Sequence, residues 1–379
     1  MDVPGLANSD RAMKQREIVF RVDASLDMGT GHVMRCLTLA NTLRERGSSC
    51  HFICREHPGN LIDFVRAQGY QVHSLSCPST QMDSTDTPVL AHEAWLGASQ
   101  AEDAAACEDI LRQIQPTWLV VDHYALDVRW QKRLELFYEH LMVIDDLADR
   151  SHQCDLLLDQ TFGREVAAYK HLVPAACNVF CGAEYALLRP EFAGWRVYSL
   201  ARRQSGEMKR ILVSMGGVDR ENATGRVLDA LDKLILPENC QVEVVMGGGA
   251  PWLEAVRKQA ATLNYPTRVQ AGVTEMARLM ADCDLAIGAA GATAWERCCL
   301  GLPTVMVILA ENQLAVARGL QTAGAAKVIT SPELIPSELP RLLQKLIPSG
   351  QTLMTMSQAA AQVTDGQGVD SIIQYLQSI

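Results

Sequence analysis

A chain of 379 residues, at the usual ~100–200 residues per domain, has room for two or three domains and is too long for one small module; with 48% hydrophobic, 21% charged and 6% aromatic residues it has the composition of a folded protein, not of a disordered or fibrous one. The net charge of −10 without a basic tract argues against a nucleic-acid partner, because affinity for a phosphate backbone rests on clustered Lys and Arg. No apolar run approaches the ~20 residues of a membrane span, and the polar opening MDVPGLANSDRAMKQRE lacks the pattern of a signal peptide, so a cytoplasmic protein with no membrane partner is expected.

In chain order, the first strand-like run is IVFRVDAS from Ile18, followed by a glycine-containing loop and an amphipathic helix, HVMRCLTLANTLRERG, closed by Gly47. CHFIC, TWLVVDHY, LMVIDD and CDLLLDQ read as further strands, with helical spacing between several of them, as in AEDAAACEDILRQI. Apolar runs alternating with helices indicate a parallel sheet covered on both faces. Residues 78–90, PSTQMDSTDTPVL, read as a turn-rich surface loop. Gly194–Lys209 carries basic residues and no strand pattern and reads as a connection. After it the rhythm restarts with RILVSMGG, CQVEVVMGGG, TRVQAGV, DLAIGAAG and TVMVILAEN as strands and segments such as ENATGRVLDALDKLI and TEMARLMADC as helices. The expectation is two doubly wound, Rossmann-like α/β domains facing across a cleft: 18–193, the linker 194–209, then 210–350, with 351–379 as a C-terminal helix returning to the first domain. In such sheets ligands bind at the carboxyl ends of the strands, so a ligand between two of them meets loops from both.

Charge and histidine divide along the same line. Up to Pro190 there are 26 acidic and 17 basic residues, and after it 18 and 17; all nine histidines, His32 to His171, lie in the acidic half. Imidazole chemistry must therefore originate in the first half, and an anion is better accommodated in the second. The twelve cysteines include the CxxxC pairs Cys50/Cys54 and Cys177/Cys181 and the adjacent Cys298-Cys299, but no CxxC. Buried thiols serving as small hydrophobes are expected, and no metal.

Several strand ends hold residues suited to chemistry. Asp23–Arg35, DASLDMGTGHVMR, joins the first strand to the first helix; it is neither GxGxxG nor a P-loop, but it places His32, after Gly31, near a helix N-terminus, where the positive helix end favours the neutral imidazole that a base requires. Asp122-His123-Tyr124 and Asp145-Asp146 end two other strands. Adjacent carboxylates could bind a metal or act as an acid/base pair, but neighbours at a strand end point in different directions, and solvated carboxylates are the expectation. Tyr124 combines an apolar ring with a hydroxyl, a combination suited to a sugar. In the second half, Ser214-Met215-Gly216-Gly217 and Gly288–Glu296, including Gly291, sit between strand and helix, where small residues expose N–H groups to an anion such as a diphosphate. Glu296 has two readings: the partner of Thr293 in a capping box, or a carboxylate accepting ribose hydroxyls. Ala310–Gln313 closes another strand and directs two amides, Asn312 and Gln313, toward the same cleft.

Taken together, RVDASLDMGTGHVMRCLTLA, VVDHYALD, IDDLADRSHQCDLLLDQ, ALLRPEF, VSMGGVDREN, GAAGATAWERCCLGLP and AENQ resemble, in order from about residue 18 to about 330, the UDP-sugar hydrolases of pseudaminic acid biosynthesis, the PseG family. The GAAG…E element also resembles the nucleotide half of many GT-B glycosyltransferases. The resemblance implies a GT-B-like fold, UDP held mainly by the second domain, and hydrolysis of UDP-2,4-diacetamido-2,4,6-trideoxy-β-L-altrose to UDP and the free sugar, with neither metal nor cofactor. It implies that His32 is the base activating water, that Tyr124 and Asn312 contact the sugar, that Glu296 holds the ribose, and that Arg189 with Gly31, Gly216, Gly217 and Gly291 binds substrate. Residues 1–17 and those beyond about 345 fall outside it, as does the 78–90 stretch, and the oligomeric state is left open. The alternatives are a glycosyltransferase using the same donor and a non-catalytic UDP-sugar-binding protein.

Overall fold

The computed structural model describes residues 16–77 and 90–379; the expected loop thus lies outside the described residues except for Leu90. The first sheet contains β1 (Glu17–Val22), β2 (Ser49–Arg55), β3 (Gln71–Leu75), β4 (Trp118–Asp122), β5 (His140–Ile144), β6 (Leu156–Asp159) and β7 (Asn178–Cys181), all parallel, in the spatial order 3-2-1-4-5-6-7. Its helices are α1 (Gly31–Glu45), α2 (Ile62–Ala67), α3 (Gln100–Ile114) and α4 (Val128–Leu134). Strand alternation sorts them onto two faces: Ile18, Phe20 and Val22 of β1 join the core under α1 and α2, while Val19 joins the one under α3 and α4. Arg21 points to that second face as well, fully buried, where its guanidinium pairs with Asp103 of α3 at 2.7 Å. The start of α3 follows from local sequence, since Ser99 and Glu102 close a reciprocal capping box.

The chain leaves this unit through α5 (Pro190–Arg202), and the segment 194–209 is largely helical, packed against the second unit. Ser199 Oγ donates to Leu300 O at 2.7 Å, and the buried Arg203 guanidinium donates to Met280 O and Cys283 O. The second sheet holds β8 (Arg210–Ser214), β9 (Gln241–Met246), β10 (Thr267–Ala271), β11 (Leu285–Ala289), β12 (Thr304–Val307) and β13 (Ala326–Ile329), parallel and ordered 10-9-8-11-12-13. α6 (Ala223–Leu231), α7 (Leu253–Ala260) and α11 (Ile335–Leu346) cover one face; α8 (Met276–Ala281), α9 (Thr293–Cys299), α10 (Leu314–Thr322) and part of α12 (Gly350–Ala361) cover the other, together with α5. The chain then crosses back. α13 (Gly368–Ser378) buries Val369, Ile372, Ile373 and Leu376 in the core of the first sheet, and Trp118 Nε1 of β4 donates to Leu376 O at 3.2 Å.

Three strands have little signal in the sequence. β3, β7 and β13 lie at sheet edges, and β3 and β7 are largely half-buried or exposed. An edge strand has no second neighbour demanding a continuous apolar run. Among the described residues no helix is long and apolar enough to cross a membrane, and no group of three or more His, Cys, Asp or Glu is placed to hold a metal.

Candidate active site

β2 lies on one side of β1 and β4 on the other, so the crevice between the ends of β1 and β4 is the topological switch point of the first sheet. The register puts Val22, the last residue of β1, beside Asp122, the last of β4. From there the chain turns tightly, with Ser25 Oγ accepting the Asp27 and Met28 N–H groups and Ser25 O accepting that of Gly29. α1 begins at Gly31. His32 and Arg35, three residues apart, therefore share a face of its first turn and both reach Asp122.

His32 Nδ1 lies 2.7 Å from Asp122 Oδ1. Arg35 donates through Nε to Asp122 Oδ2 at 2.6 Å and through one terminal nitrogen to Oδ1 at 2.7 Å; its other arm donates to Asp146 Oδ2 at 2.6 Å, which also accepts the Tyr124 hydroxyl at 2.9 Å. Burial by itself would raise the Asp122 carboxyl, but the Arg35 guanidinium and then His32 override it and hold it well below the ordinary carboxylate range. Asp122 is thus an ionised, acceptor-only partner. The proton on His32 sits on Nδ1, and in the neutral ring Nε2 keeps its lone pair. The Tyr124 ring packs edge-on against His32, centroids 4.7 Å apart. Burial, followed by the Asp146 charge, raises its phenol well above the ordinary value, so Tyr124 stays a donor.

The adjacent carboxylates do point apart, but the expectation that they are solvated is corrected. Asp145 is fully buried, accepting from Arg150 at 2.7 Å, from the Ala148 N–H at 2.9 Å and from the Tyr169 hydroxyl at 2.9 Å. Asp146 is tied to Arg35 and Tyr124. Each charge at this rim has a partner, and that is what permits its burial.

In the second sheet the switch point lies between β8 and β11. The β8 loop, with Gly216 and Gly217, passes so close to the β9 loop that a methyl group on Gly247 would stand 2.0 Å from Gly217 O; only glycine fits there. Behind this loop the N-terminus of α6 is engaged by side chains: Asp219 accepts the Ala223 and Thr224 N–H groups and Asn222 accepts that of Gly225. α9, behind Gly291, has no side-chain cap. Nor does a capping box form there, because Thr293 lies inside the helix and its hydroxyl accepts from Arg297 at 3.1 Å. The Arg297 guanidinium is buried, also donates to Ala289 O at 2.6 Å, and has no ion-pair partner among the described residues. Burial lowers it to about 10, leaving it a cation at neutral pH beneath the Gly288–Gly291 loop.

The two switch points face each other. A methyl on Gly31 would lie 3.8 Å from Ala292 Cβ, and one on Gly217 3.6 Å from Thr30 Oγ1; Arg220 reaches Asp27 across the gap at 2.8 Å. Gly31 and Gly217 thus border this cleft, with His32, Gly216 and Gly291 next to these contacts in the chain, whereas Tyr124 is buried behind His32. Arg189 and Glu296 come within 3.9 Å of each other where α5 meets α9. The Glu296 side chain is 18% exposed, and burial pushes its carboxyl up to about 7 although Arg189 and Arg297 pull it down. Asn312 is exposed on the turn after β12 and makes no hydrogen bond among the described residues. Of the two expected amides, Gln313 is partly committed, since its Oε1 accepts the Leu309 N–H. Sequence reasoning named Asp122 without assigning it to His32, and passed over Arg35 and Arg297. The i,i+3 spacing of His32 and Arg35 was the available signal; their shared acceptor depends on strand order.

Residues 211–372 match the family model described as the glycosyltransferase family 28 C-terminal domain. Over 79% of its length the chain is 25% identical to an uncharacterized protein of Methanocaldococcus jannaschii, of which it spans 56%. It is 25% identical over 81% of its length, and 97% of the relative's, to the UDP-2,4-diacetamido-2,4,6-trideoxy-β-L-altropyranose hydrolase of Campylobacter jejuni. It is 24% identical over 94% of its length, and 96% of the relative's, to the spore coat polysaccharide biosynthesis protein SpsG of Bacillus subtilis. Among solved structures, MurG of Acinetobacter baumannii superposes with a TM-score of 0.66 at 17% identity, covering 96% of this chain and all of that one. Two parallel-sheet α/β units, with switch points opposed across a cleft, make this a GT-B-like fold.

Proposed function

We propose that this chain is an enzyme acting on UDP-sugars, and specifically that it hydrolyses UDP-2,4-diacetamido-2,4,6-trideoxy-β-L-altrose to UDP and the free sugar. The observation that supports it best is the His32–Asp122 pair, 2.7 Å apart, at one switch point and directly opposite the glycine loops of the other. His32 Nε2 accepts a proton from water as the water oxygen bonds to the anomeric carbon; the C–O bond to the diphosphate breaks, UDP departs with the electron pair, and the anomeric configuration inverts. Asp122 holds the ring in the required tautomer and stabilises the imidazolium, while Arg35 shares the charge of Asp122. The diphosphate sits against the Gly216-Gly217 and Gly291 backbone, with the Arg297 cation below, so the leaving group needs no separate carboxylic acid. Glu296 takes ribose hydroxyls, Arg189 adds charge nearby, and Tyr124 and Asn312 face the sugar. The Campylobacter relative, aligned along almost its entire length, supports this choice of substrate.

A glycosyltransferase using a UDP-sugar donor is the second reading, favoured by the family model on residues 211–372. Turnover of the altrose nucleotide in ¹⁸O-labelled water separates the two. Hydrolysis at carbon puts the label on the sugar's anomeric oxygen and needs no acceptor. Label on UDP means cleavage at phosphorus and rejects His32 as the base for attack at carbon; UDP release only with an added acceptor establishes the transferase.

A further inference from the structure

The cysteines, expected as small hydrophobes, are mostly buried, and of the twelve only Cys77 is exposed. One pair departs from that role. Cys154, just before β6, and Cys177, just before β7, have their sulfurs 3.6 Å apart. Their approach follows from strand pairing and not from sequence spacing. Leu156 of β6 lies opposite Asn178 of β7, and the Asn178 N–H donates to Asp155 O at 2.9 Å, so Cys177 comes alongside the start of β6. Paired strands run about 4.8 Å apart, and a disulfide spans α-carbons about 4.4–6.8 Å apart, so the placement suits a bond. The CxxxC partner of Cys177 is placed otherwise. Cys181 stands at the far end of β7, about 13 Å away at ~3.3 Å per residue.

The two thiols are not equivalent. Cys154 is buried, while Cys177 is half-buried and within reach of solvent. The hydrogen bond between them, and then burial, raises the Cys154 thiol well above its ordinary value; the same bond lowers that of Cys177 in spite of burial. Cys154 therefore keeps the shared proton, and Cys177 is the sulfur that becomes a thiolate, the nucleophilic form. The crossover between them bears on the cleft. Arg164 donates to Asp159 Oδ2 at 2.8 Å and to Asp146 O at 3.0 Å, the Tyr169 hydroxyl donates to Asp145 Oδ2 at 2.9 Å, and Phe162 packs against Gly319 of the second unit. It thus supports the Asp145-Asp146 strand end, where Asp146 holds Arg35 and Tyr124.

We propose that Cys154 and Cys177 are an oxidisable dithiol, which a hydroperoxide converts to a disulfide that ties β6 to β7 and closes the crossover into a covalent loop. The Cys177 thiolate attacks the terminal peroxide oxygen. An S–O bond forms, the O–O bond breaks, and the departing oxygen leaves with the electron pair and takes a proton from solvent, as water or an alcohol. The Cys154 sulfur then attacks the Cys177 sulfur; the S–S bond forms, the S–O bond breaks, and the hydroxyl leaves with the Cys154 proton as water. Two thiols give up two electrons and one peroxide is reduced. The proposal does not depend on the substrate reading above.

The test treats the reduced full chain with hydrogen peroxide, alkylates the remaining thiols and maps peptides without reductant. The expected product is a Cys154–Cys177 cross-link, lighter than the two reduced peptides by two hydrogens and lost on treatment with dithiothreitol. In untreated protein, iodoacetamide should label Cys177 faster than Cys154. Cys154→Ser and Cys177→Ser abolish the cross-link, while Cys181→Ser and Cys77→Ser retain it. Closing the loop should raise the thermal midpoint of wild type by about 5 °C, a shift that dithiothreitol reverses and that Cys177→Ser lacks. The peptide map is read on unaltered protein, so it holds even where a serine variant fails to fold. Oxidation of Cys177 to sulfinic or sulfonic acid without a cross-link, or its pairing with Cys181 or with Cys77 of a second molecule, overturns the dithiol. A cross-linked protein whose midpoint is unchanged overturns the constraint on the crossover.

Discussion

At the scale of single residues, the chemistry proposed for this cleft depends on which nitrogen of His32 carries a proton. Asp122 settles this because Arg35 keeps it ionised. His32→Asn retains the geometry of a donor toward Asp122 but offers no base, so UDP affinity is expected to persist while kcat falls about 10²–10⁴-fold, measured by UDP release and by calorimetric titration. Normal turnover in that variant would place the base elsewhere. Glu296 makes a separate prediction. Its carboxyl, raised by burial to about 7 from 4.5, holds more protons in the folded than in the unfolded chain between those values, so its contribution to stability declines as pH rises through that window. As a ribose ligand it must be ionised, and affinity for a UDP-sugar, whose diphosphate has no proton to lose near neutrality, should rise by about tenfold from pH 6 to pH 8. Glu296→Gln should remove that pH step, and a step that survives the substitution assigns it to another group.

At the scale of elements, short segments follow from local sequence and their placement does not. The α3 capping box and the Asp219 and Asn222 caps of α6 are local matters of spacing. α13 is different, because its apolar residues Val369, Ile372, Ile373 and Leu376 mark an amphipathic helix, yet nothing local says that their partners are Ile18, Phe20 and Trp118, more than 250 residues earlier in the chain. Ile373 is fully buried there. Ile373→Ala should cost about 2–5 kcal/mol and lower the thermal midpoint of the first unit, followed by circular dichroism; a change within about 0.5 kcal/mol, the ordinary range of surface substitutions, would mean that α13 does not brace that core.

At the scale of the molecule, the two units share two chain crossings, around residues 187–190 and 362–368, and the exposed Arg220–Asp27 pair across the cleft. An exposed ion pair is worth about 1 kcal/mol or less, so the crossings, the packing of α5 and α13, and Phe162, which packs from the first unit against Gly319 of α10, hold the units together. The uneven charge has a partial counterpart in the structure. Four of the first unit's carboxylates, Asp23, Asp122, Asp145 and Asp146, lie at its strand ends, paired with Arg21, Arg35 and Arg150.

The sequence by itself determined the fold class and most central strands, because buried parallel strands need continuous apolar runs and the helices between them need a 3.6-residue period. It also located His32 after Gly31 and the glycine loops after two strands, since tight turns at strand ends constrain residue type. Strand order was decided only by the tertiary structure. That order sets Asp122 beside Val22, turns two unrelated segments into a His–Asp pair, and brings Cys154 against Cys177. Local sequence carries turn and helix propensity; which strand ends become neighbours is a property of the packed sheet, fixed by long-range contacts that no single segment encodes.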